Sequence, residues 1–368
     1  MQLFKSYYRS EEILIKLKEV LDIGWTATGK NCKEFEDKWN RFIGCEYSHY
    51  LNSCTAALHI AVRLLDLSKG SKIISTPITF ISTNAAILYE DMVPVFADVD
   101  PNYLSLDPNS VLRKAETEKA TAVIWVHYGG MVHPDFLQTV EKLNEMNIPV
   151  IEDCAHAAGS FYPDGARVGS KNISCFSFQA VKNMPSFDGG AITVQTKEQY
   201  DRVKRLSWLG ISQNTFDRTA GNSNEIYKWQ YDVPELGWKY NGNEPSAIMS
   251  LVSLKYLDRD NAYRKQIYEW YKKLKTPLII QDDSSSHHLC VTVVDNRDQV
   301  ISALKANDIS PGVHYMPNYK FKPFEQYYDS CQNTETISDK IISLPNHLYL
   351  EKNDVDKVVN IINETQKN

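Results

Sequence analysis

The segment VIEDCAHAAGSFYPDGARVGSKNISCFSFQAVKNMPSFDGGAITV, residues Val150 to Val194, decides the fold predicted for this chain. In and beside it lie three apolar runs typical of buried strands: Ile148–Ile151, Ile173–Phe178 and Ala191–Val194. Asp153 comes just after the first run, and Lys182 follows the second within four residues. Because ligands of open α/β sheets bind outside the carboxyl ends of the strands, this pair predicts a buried cofactor pocket.

A carboxylate and a lysine in this arrangement suit pyridoxal phosphate. The lysine amine can form a Schiff base with the aldehyde, and the carboxylate can keep the pyridine nitrogen protonated. The protonated ring is then an electron sink for a substrate carbanion, and the freed lysine can carry the proton. Spacing alone leaves open the commoner alternatives, which are a helix-capping Asp153 and a solvated Lys182.

Three motifs in this segment resemble the active-site region of the DegT/DnrJ/EryC1/StrS family of sugar aminotransferases. The family pattern is approximately E-D-A-A-Q/H-A, then S-F-x-x-x-K-N, then G-E-G-G. The chain has EDCAHA at Glu152–Ala157, SFQAVKN at Ser177–Asn183 and FDGG at Phe187–Gly190, without a gap in the spacing. The resemblance implies that Lys182 and Asp153 are catalytic and that the cofactor is pyridoxal 5'-phosphate, with pyridoxamine 5'-phosphate as the intermediate form.

Strands alternate with helices along the first half of the chain, which predicts an α/β fold with a mostly parallel sheet covered on both faces. The resemblance implies a fold-type I transferase with a large cofactor-binding domain and a smaller α/β C-terminal domain. We place them at residues 1–250 and 251–368, with the N-terminal helix free to pack on the small domain. The predicted C-terminal elements include a strand at Pro311–Tyr315 and a helix at Glu335–Ile342.

Composition excludes several classes of protein. With 43% hydrophobic and 23% charged residues the chain is globular, and a net charge of −6 without a basic block argues against nucleic acid as a partner. No stretch approaches the ~18 apolar residues of a membrane span. The seven cysteines are scattered and none forms a C-x-x-C pair, so we expect reduced thiols, no metal site and a cytoplasmic location.

The start of a predicted helix near residue 54 is an ordinary N-cap, which the residues alone favour, or an anion-binding site. Small and hydroxyl residues at Asn52–Ala57 expose backbone N–H groups to an anion. The segment resembles the family's S-G-T-x-A-L, with Cys54 for the usual glycine, and this implies that Thr55 and Ala56 hold the phosphate. By the same resemblance, further cofactor contacts are the Ser177 hydroxyl to the phosphate, Phe80 stacked on the ring and His156 near the ring oxygen or the acid.

A second subunit is expected to complete the site. The sequence GWKYNGNE at Gly237–Glu244 resembles the family's G-[YF]-[NK]-Y-[RN]-M-[ST]-[DE], although Gly242 departs from it. The resemblance implies a homodimer with shared active sites, in which Lys239 reaches the phosphate of the partner subunit. The polar segment Leu209–Leu236 is predicted to arch towards a neighbouring active site.

The substrate side of the pocket is predicted from loops. The sequence HYMP at His314–Pro317 resembles a family motif that lines the sugar-nucleotide side of the cleft, although Asn318 and Tyr319 replace the usual residues after it. The predicted substrate-binding residues are Trp25, Thr26, Thr28, Arg218, His314 and Tyr315.

The resemblance implies transfer of an amino group from L-glutamate to a keto-sugar, most simply a nucleotide-linked 4-keto-6-deoxy sugar, in amino-sugar or glycan biosynthesis. One alternative is a nucleotide-sugar 3-dehydratase that uses the same cofactor; relatives of that kind carry a histidine at the lysine position, whereas this chain has Lys182. Another is a non-catalytic binding protein, which would lack the lysine or the acid. The sequence leaves open the nucleotide, the sugar, the carbon aminated and the stereochemistry.

Overall fold

The computed structural model describes residues 1–212 and 231–366. Its main sheet has seven strands in the order β1-β7-β6-β5-β4-β2-β3. The strands are β1 Tyr47–Leu51, β2 Lys72–Ser75, β3 Val93–Phe96, β4 Ala122–Val126, β5 Val150–Asp153, β6 Ile173–Ser177 and β7 Gly190–Val194. Strand β7 is antiparallel to both of its neighbours and the other pairs are parallel, which confirms the mostly parallel α/β sheet.

Helices cover both faces of this sheet. Those before residue 210 are α1 Ser10–Ile23, α2 Lys30–Ile43, α3 Cys54–Leu64, α4 Ile81–Tyr89, α5 Pro108–Thr117, α6 Phe136–Glu145 and α7 Lys197–Ser207. Successive residues of a strand point to opposite faces. Val123 and Trp125 of β4 therefore pack with α2, α5 and α6, whereas Ala122 and Ile124 pack with α3, α4 and α7. A strand buried on both sides reads as a continuous apolar run, which is why the sequence indicated these strands.

The C-terminal part contains a second, two-stranded sheet. Its elements are α8 Glu244–Leu254, α9 Leu257–Tyr271, β8 Cys290–Val293, α10 Arg297–Lys305, α11 Gln332–Ile337, β9 Ile341–Leu344 and α12 Lys352–Thr365. The antiparallel pair β8 and β9 packs against α9, α10 and α12 around a buried cluster that includes Val300, Leu304 and Val358.

Two predicted C-terminal elements are wrong. The predicted strand Pro311–Tyr315 is not formed, because only Gly312 makes an isolated bridge, to Ser343. The predicted helix Glu335–Ile342 ends at Ile337, and its last residues belong to β9. The run Ile341–Leu344 is buried on both sides against β8, and this tertiary pairing decides its conformation over local propensity.

The N-terminal helix lies beside the predicted domain boundary. Ile13 of α1 packs against Met249 and Val252 of α8. Just before α1, Arg9 forms a 2.7 Å ion pair with Asp260 of α9. The division at residue 250 falls inside α8, and it stays a prediction. None of the helices described is long and apolar enough to span a bilayer.

Candidate active site

A cavity of about 460 Å³ opens at the carboxyl ends of the parallel strands. Val126, Asp153 and Ser177 reach it as the last residues of β4, β5 and β6, and Thr79 reaches it from the loop after β2. Its volume lies in the range of small-molecule sites, which is about 300–1,000 Å³. Eight residues that the sequence predicted for the site line it: Thr55, Phe80, Asp153, His156, Ser177, Lys182, His314 and Tyr315.

Asp153 is 4% exposed, and it holds two hydrogen bonds of its own. The Thr83 hydroxyl donates to Oδ2 over 2.7 Å, and the Ala155 N–H donates to Oδ1 over 3.1 Å. Burial raises the pKa of Asp153, whereas these two donors and the charge of Lys182 oppose the rise. A cationic ring nitrogen placed against this carboxylate would therefore stabilise its ionised form.

The preceding acid, Glu152, points to the other face of the sheet, as strand alternation requires. It accepts hydrogen bonds from His127 (2.6 Å), Tyr162 (2.7 Å) and Asn172 (2.7 Å). His127, Glu152 and Cys154 are close enough together to suggest metal ligands. However, the carboxylate is already shared among three protein partners, so a hydrogen-bonded network that fixes β4 and β5 explains the cluster.

Lys182 lies in the turn between β6 and β7 and lines the same cavity as Asp153. Burial lowers the pKa of Lys182, and the Asp153 charge only partly offsets that effect. A lysine with a depressed pKa offers more neutral amine at neutral pH, which is the form that attacks a carbonyl carbon.

Helix α3 begins at the cavity. Ser53 caps it by accepting a 3.1 Å hydrogen bond from the Ala56 N–H, and the Thr55 hydroxyl donates to Ser82 over 2.9 Å. Ala56 does not line the cavity, and its N–H is committed to the cap. Strand β7 passes so close to this loop that a Cβ on Gly190 would lie 2.5 Å from the Ser53 carbonyl carbon. The glycine is therefore required for the helix start to approach the strand.

Four neutral side chains also line the cavity: His156, His314, Tyr315 and Phe80. The Gly129 N–H donates to His156 Nδ1 over 3.2 Å, so the proton of this imidazole is on Nε2, which donates to the Tyr315 hydroxyl over 3.1 Å. Burial lowers the pKa of His156 well below its ordinary value, and it lowers the pKa of His314 to about 4. Phe80 is 58% exposed and its ring lies 6.2 Å from that of Tyr315.

A second group of predicted residues lies elsewhere in the chain. Lys239 Nζ donates to Asn241 over 2.7 Å and lies 3.8 Å from the centre of the Trp208 ring. Asn241 in turn donates to the Thr28 hydroxyl over 2.6 Å. Of the predicted residues, those that do not line this chain's cavity are Ala56, Trp25, Thr26, Thr28 and Lys239. Arg218 lies outside the described residues.

The sequence did not single out several side chains that the cavity brings together: Phe4, Thr79, Ser82, Thr83, Gln179, Asp188 and His288. Asn183 fixes His288. The Asn183 amide N–H₂ donates to Asn261 and Ser286, so its oxygen accepts from His288 Nδ1 over 2.7 Å. Thr79, Ser82 and Thr83 lie within three residues of Phe80, and Gln179 and Asp188 lie inside the quoted motifs, so these five left a local signal. Phe4 and His288 left none.

Comparison with known proteins gives one consistent result. Residues 8–363 match the DegT/DnrJ/EryC1/StrS aminotransferase family. An uncharacterised protein of Methanocaldococcus jannaschii, MJ1066, is 30% identical over 371 residues, which cover 96% of this chain and 94% of that protein.

Solved structures agree with this match. A protein assigned as a sugar aminotransferase from Streptococcus pneumoniae, in its pyridoxamine phosphate form, superposes with a TM-score of 0.89 at 26% identity, covering 99% of this chain and 98% of that one. Its pyridoxal phosphate form gives 0.88 at the same identity and coverage. AtS13 from Actinomadura melliaura gives 0.89 at 29% identity, also covering 99% and 98%. The chain therefore belongs to the DegT/DnrJ/EryC1/StrS family of pyridoxal phosphate-dependent aminotransferases.

Proposed function

We propose that this protein transfers the amino group of L-glutamate to the ketone of a nucleotide-linked sugar, most simply a 4-keto-6-deoxy sugar. The observation that carries the proposal is the placement of Asp153 and Lys182 on one cavity at the ends of β5 and β6. Hydroxyl and imidazole side chains in the lining, among them Ser177, His314 and Tyr315, offer hydrogen-bond partners for a sugar.

The side chains that line the cavity have the chemical groups that the cofactor requires. Lys182 would hold the aldehyde carbon, Asp153 the pyridine nitrogen, and Phe80 would cover one face of the ring. Thr55 and Ser177 would hold the phosphate, and His156 would lie beside the ring. When bound, the cofactor supplies the electron sink that lets a carbon–hydrogen bond next to the amine ionise.

The chain's own groups then handle the proton. The Lys182 amine, with its lowered pKa, accepts the proton that leaves the α-carbon of glutamate and returns a proton when the sugar takes up nitrogen. Asp153 stays ionised throughout and balances the charge of the ring nitrogen. Lys182 also favours transamination over 3-dehydration, since the sequence resemblance associates dehydration with a histidine at this position.

The substrate and partner contacts belong to the same proposal. His314 and Tyr315 line the cavity and would contact the sugar, and Trp25, Thr26, Thr28 and Arg218 would contact the nucleotide-linked substrate. Lys239 would reach the phosphate of the partner subunit in a homodimer. In support, Lys239 and Thr28 are held on one loop assembly through Asn241, outside the cavity of their own chain.

The test is a panel of 4-keto and 3-keto nucleotide sugars incubated with isotope-labelled glutamate. We expect labelled nitrogen in one sugar product, by mass spectrometry, and release of 2-oxoglutarate. Labelled aspartate and the Lys182→Ala enzyme serve as controls. Loss of water from the sugar without nitrogen uptake would support the dehydratase instead, and an unchanged panel with unbleached cofactor would contradict both reactions.

A further inference from the structure

The Asp153 carboxylate lies in a weakly polar part of the cavity. Cys175 pairs with Asp153 across the sheet, and Cys54 lines the same cavity as the carboxylate. Burial raises the pKa values of both thiols, and the Asp153 charge adds to the rise. Val126 lines the same region. Such surroundings favour the neutral carboxylic acid. The proposed role of Asp153 nevertheless requires a carboxylate, so some group must stabilise the negative charge.

Lys182 alone does not meet this need. Its charge favours the ionised form of Asp153, yet burial lowers the pKa of this amine, and the amine is the group that reacts in the proposed function. Among the described residues, the other charged or titratable groups that act on Asp153 or respond to it are His127, Cys54, Cys154, Cys175 and Tyr315. A permanent hydrogen-bond donor would stabilise the carboxylate whatever the state of Lys182.

Two threonines provide such a donor. Across residues 1–212 and 231–366, Thr83 is the one side chain that donates a hydrogen bond to Asp153, over 2.7 Å. The Thr83 hydroxyl oxygen lies 2.8 Å from that of Thr79. Because the proton of Thr83 is committed to the carboxylate, its oxygen must accept from Thr79. The chain therefore has one direction, from Thr79 to Thr83 to Asp153, and such chains strengthen each member.

The fold holds both hydroxyls firmly. Thr79 is 3% exposed and Thr83 is 1% exposed, and they flank the start of α4. Phe80 lies between them in the sequence and immediately precedes α4. One short segment therefore presents the exposed ring on the cavity side and the hydroxyl that contacts the acid.

We propose that Thr83, supported by Thr79, is a positioning residue that keeps Asp153 ionised and leaves one of its lone pairs free for a cationic ring nitrogen. The ionisation role concerns the protein alone, whereas the purpose of the lone pair rests on the proposed function. A hydrogen bond to a charged group typically changes an ionisation constant by about tenfold to a hundredfold.

The test follows the Asp153 carboxylic acid by infrared spectroscopy in the cofactor-free, full-length protein. The carbonyl band of the protonated acid is titrated with pH, and the band that Asp153→Asn removes is assigned to this residue. We expect Thr83→Val to raise the midpoint by about one to two pH units. Thr83→Ser should restore the wild-type midpoint, and Thr79→Val should raise it by less than Thr83→Val.

Thr139→Val is the matched control. Thr139 is 2% exposed, and its hydroxyl donates to the Asp135 carbonyl four residues earlier rather than to Asp153. It should leave the midpoint unchanged, so any general effect of losing a buried hydroxyl is removed. If Thr83→Val does not fold, comparing Thr79→Val with Thr83→Ser still tests the proposal, because Thr79→Val should move the midpoint and Thr83→Ser should not.

A second readout is the dissociation constant of pyridoxal phosphate. We expect it to rise about tenfold in Thr83→Val and to stay unchanged in Thr83→Ser and Thr139→Val. An infrared midpoint in Thr83→Val equal to that in Thr139→Val would overturn the proposal, as would a band that Asp153→Asn does not remove. A shifted midpoint in a protein that aminates no sugar would leave the positioning role standing and overturn only the proposed function.

Discussion

Two regions of the molecule differ in what holds them in place. One is the cavity wall around Asp153 and Lys182, and the other is the pair of loops around Thr28 and Lys239. The first is built on the ends of β5 and β6, and its side chains meet inside one chain. The second is held by hydrogen bonds between two loops, through Asn241, and does not reach the cavity of its own chain. Under the proposed function, the side chains around Asp153 and Lys182 act within their own subunit, whereas Lys239 acts on the site of a partner.

The largest expected effect is that of Lys182→Ala. Because the proposed reaction has no other amine to bond the cofactor and move the proton, turnover should fall by about 10⁴-fold or more. The measurement is the rate of product formation together with the visible spectrum of the purified protein. Lys239→Ala is the comparison variant, and its spectrum should keep the covalently bound form. Turnover by Lys182→Ala near the wild-type rate would remove the chemical centre from this wall.

A smaller effect is expected for Lys239→Ala, because it removes one positive charge from a phosphate that has other donors. Turnover should fall by about tenfold, mainly through weaker cofactor binding. Mixing this variant with Lys182→Ala tests the comparison directly. Random pairing of equal amounts produces heterodimers with one intact site, so activity should recover to about a quarter of the wild type.

The control for the mixing experiment is Lys182→Ala with Lys239→Ala on one chain, mixed with Lys182→Ala. This mixture has no intact lysine at position 182 and should stay inactive. Failure of the first mixture to exceed its separate components, in a protein that sedimentation shows to be dimeric, would mean that Lys239 serves its own subunit.

The smallest expected effect is on the free energy of unfolding at acid pH, because His314 is buried in the cavity wall. The pKa of His314 is lowered to about 4, mainly by burial and also by Lys182, whereas an unfolded histidine titrates near 6.5. Below pH ~6.5 the unfolded chain therefore binds a proton that the folded chain refuses. Stability is complete above that pH and is lost as the pH falls to about 4, by roughly 2–3 kcal/mol for this group.

His314→Asn should flatten that part of the curve of unfolding free energy against pH. Asparagine can keep a hydrogen bond to Ser343, which lies 2.7 Å from His314 Nδ1. His156 and His288 add to the slope in both proteins, since burial lowers their pKa values as well. The informative quantity is thus the difference between the two curves. Parallel curves from pH 6.5 to 4 would show that His314 is not shielded as the structure indicates.

Much of the main sheet could be predicted because its strands are buried on both faces and read as apolar runs. Helix α7 was not predicted, although it has a capping box in which the Thr196 side chain and the Gln199 side chain exchange hydrogen bonds with each other's backbone. Strand β9 was taken for a helix because Ile341 and Ile342 carry no periodicity that distinguishes the two, and only pairing with β8 decides.

The sequence by itself determined the family, the mostly parallel α/β sheet and the cofactor, because Lys182 and the motif around Asp153 are local patterns with fixed spacing. Tertiary structure alone brought His288 and Phe4 to the same cavity, since contacts between residues far apart in the chain leave no periodic signal. It also separated Lys239 from that cavity. Lys239 donates to Asn241 and lies over the ring of Trp208, and only the folded chain shows that these contacts hold it outside the cavity.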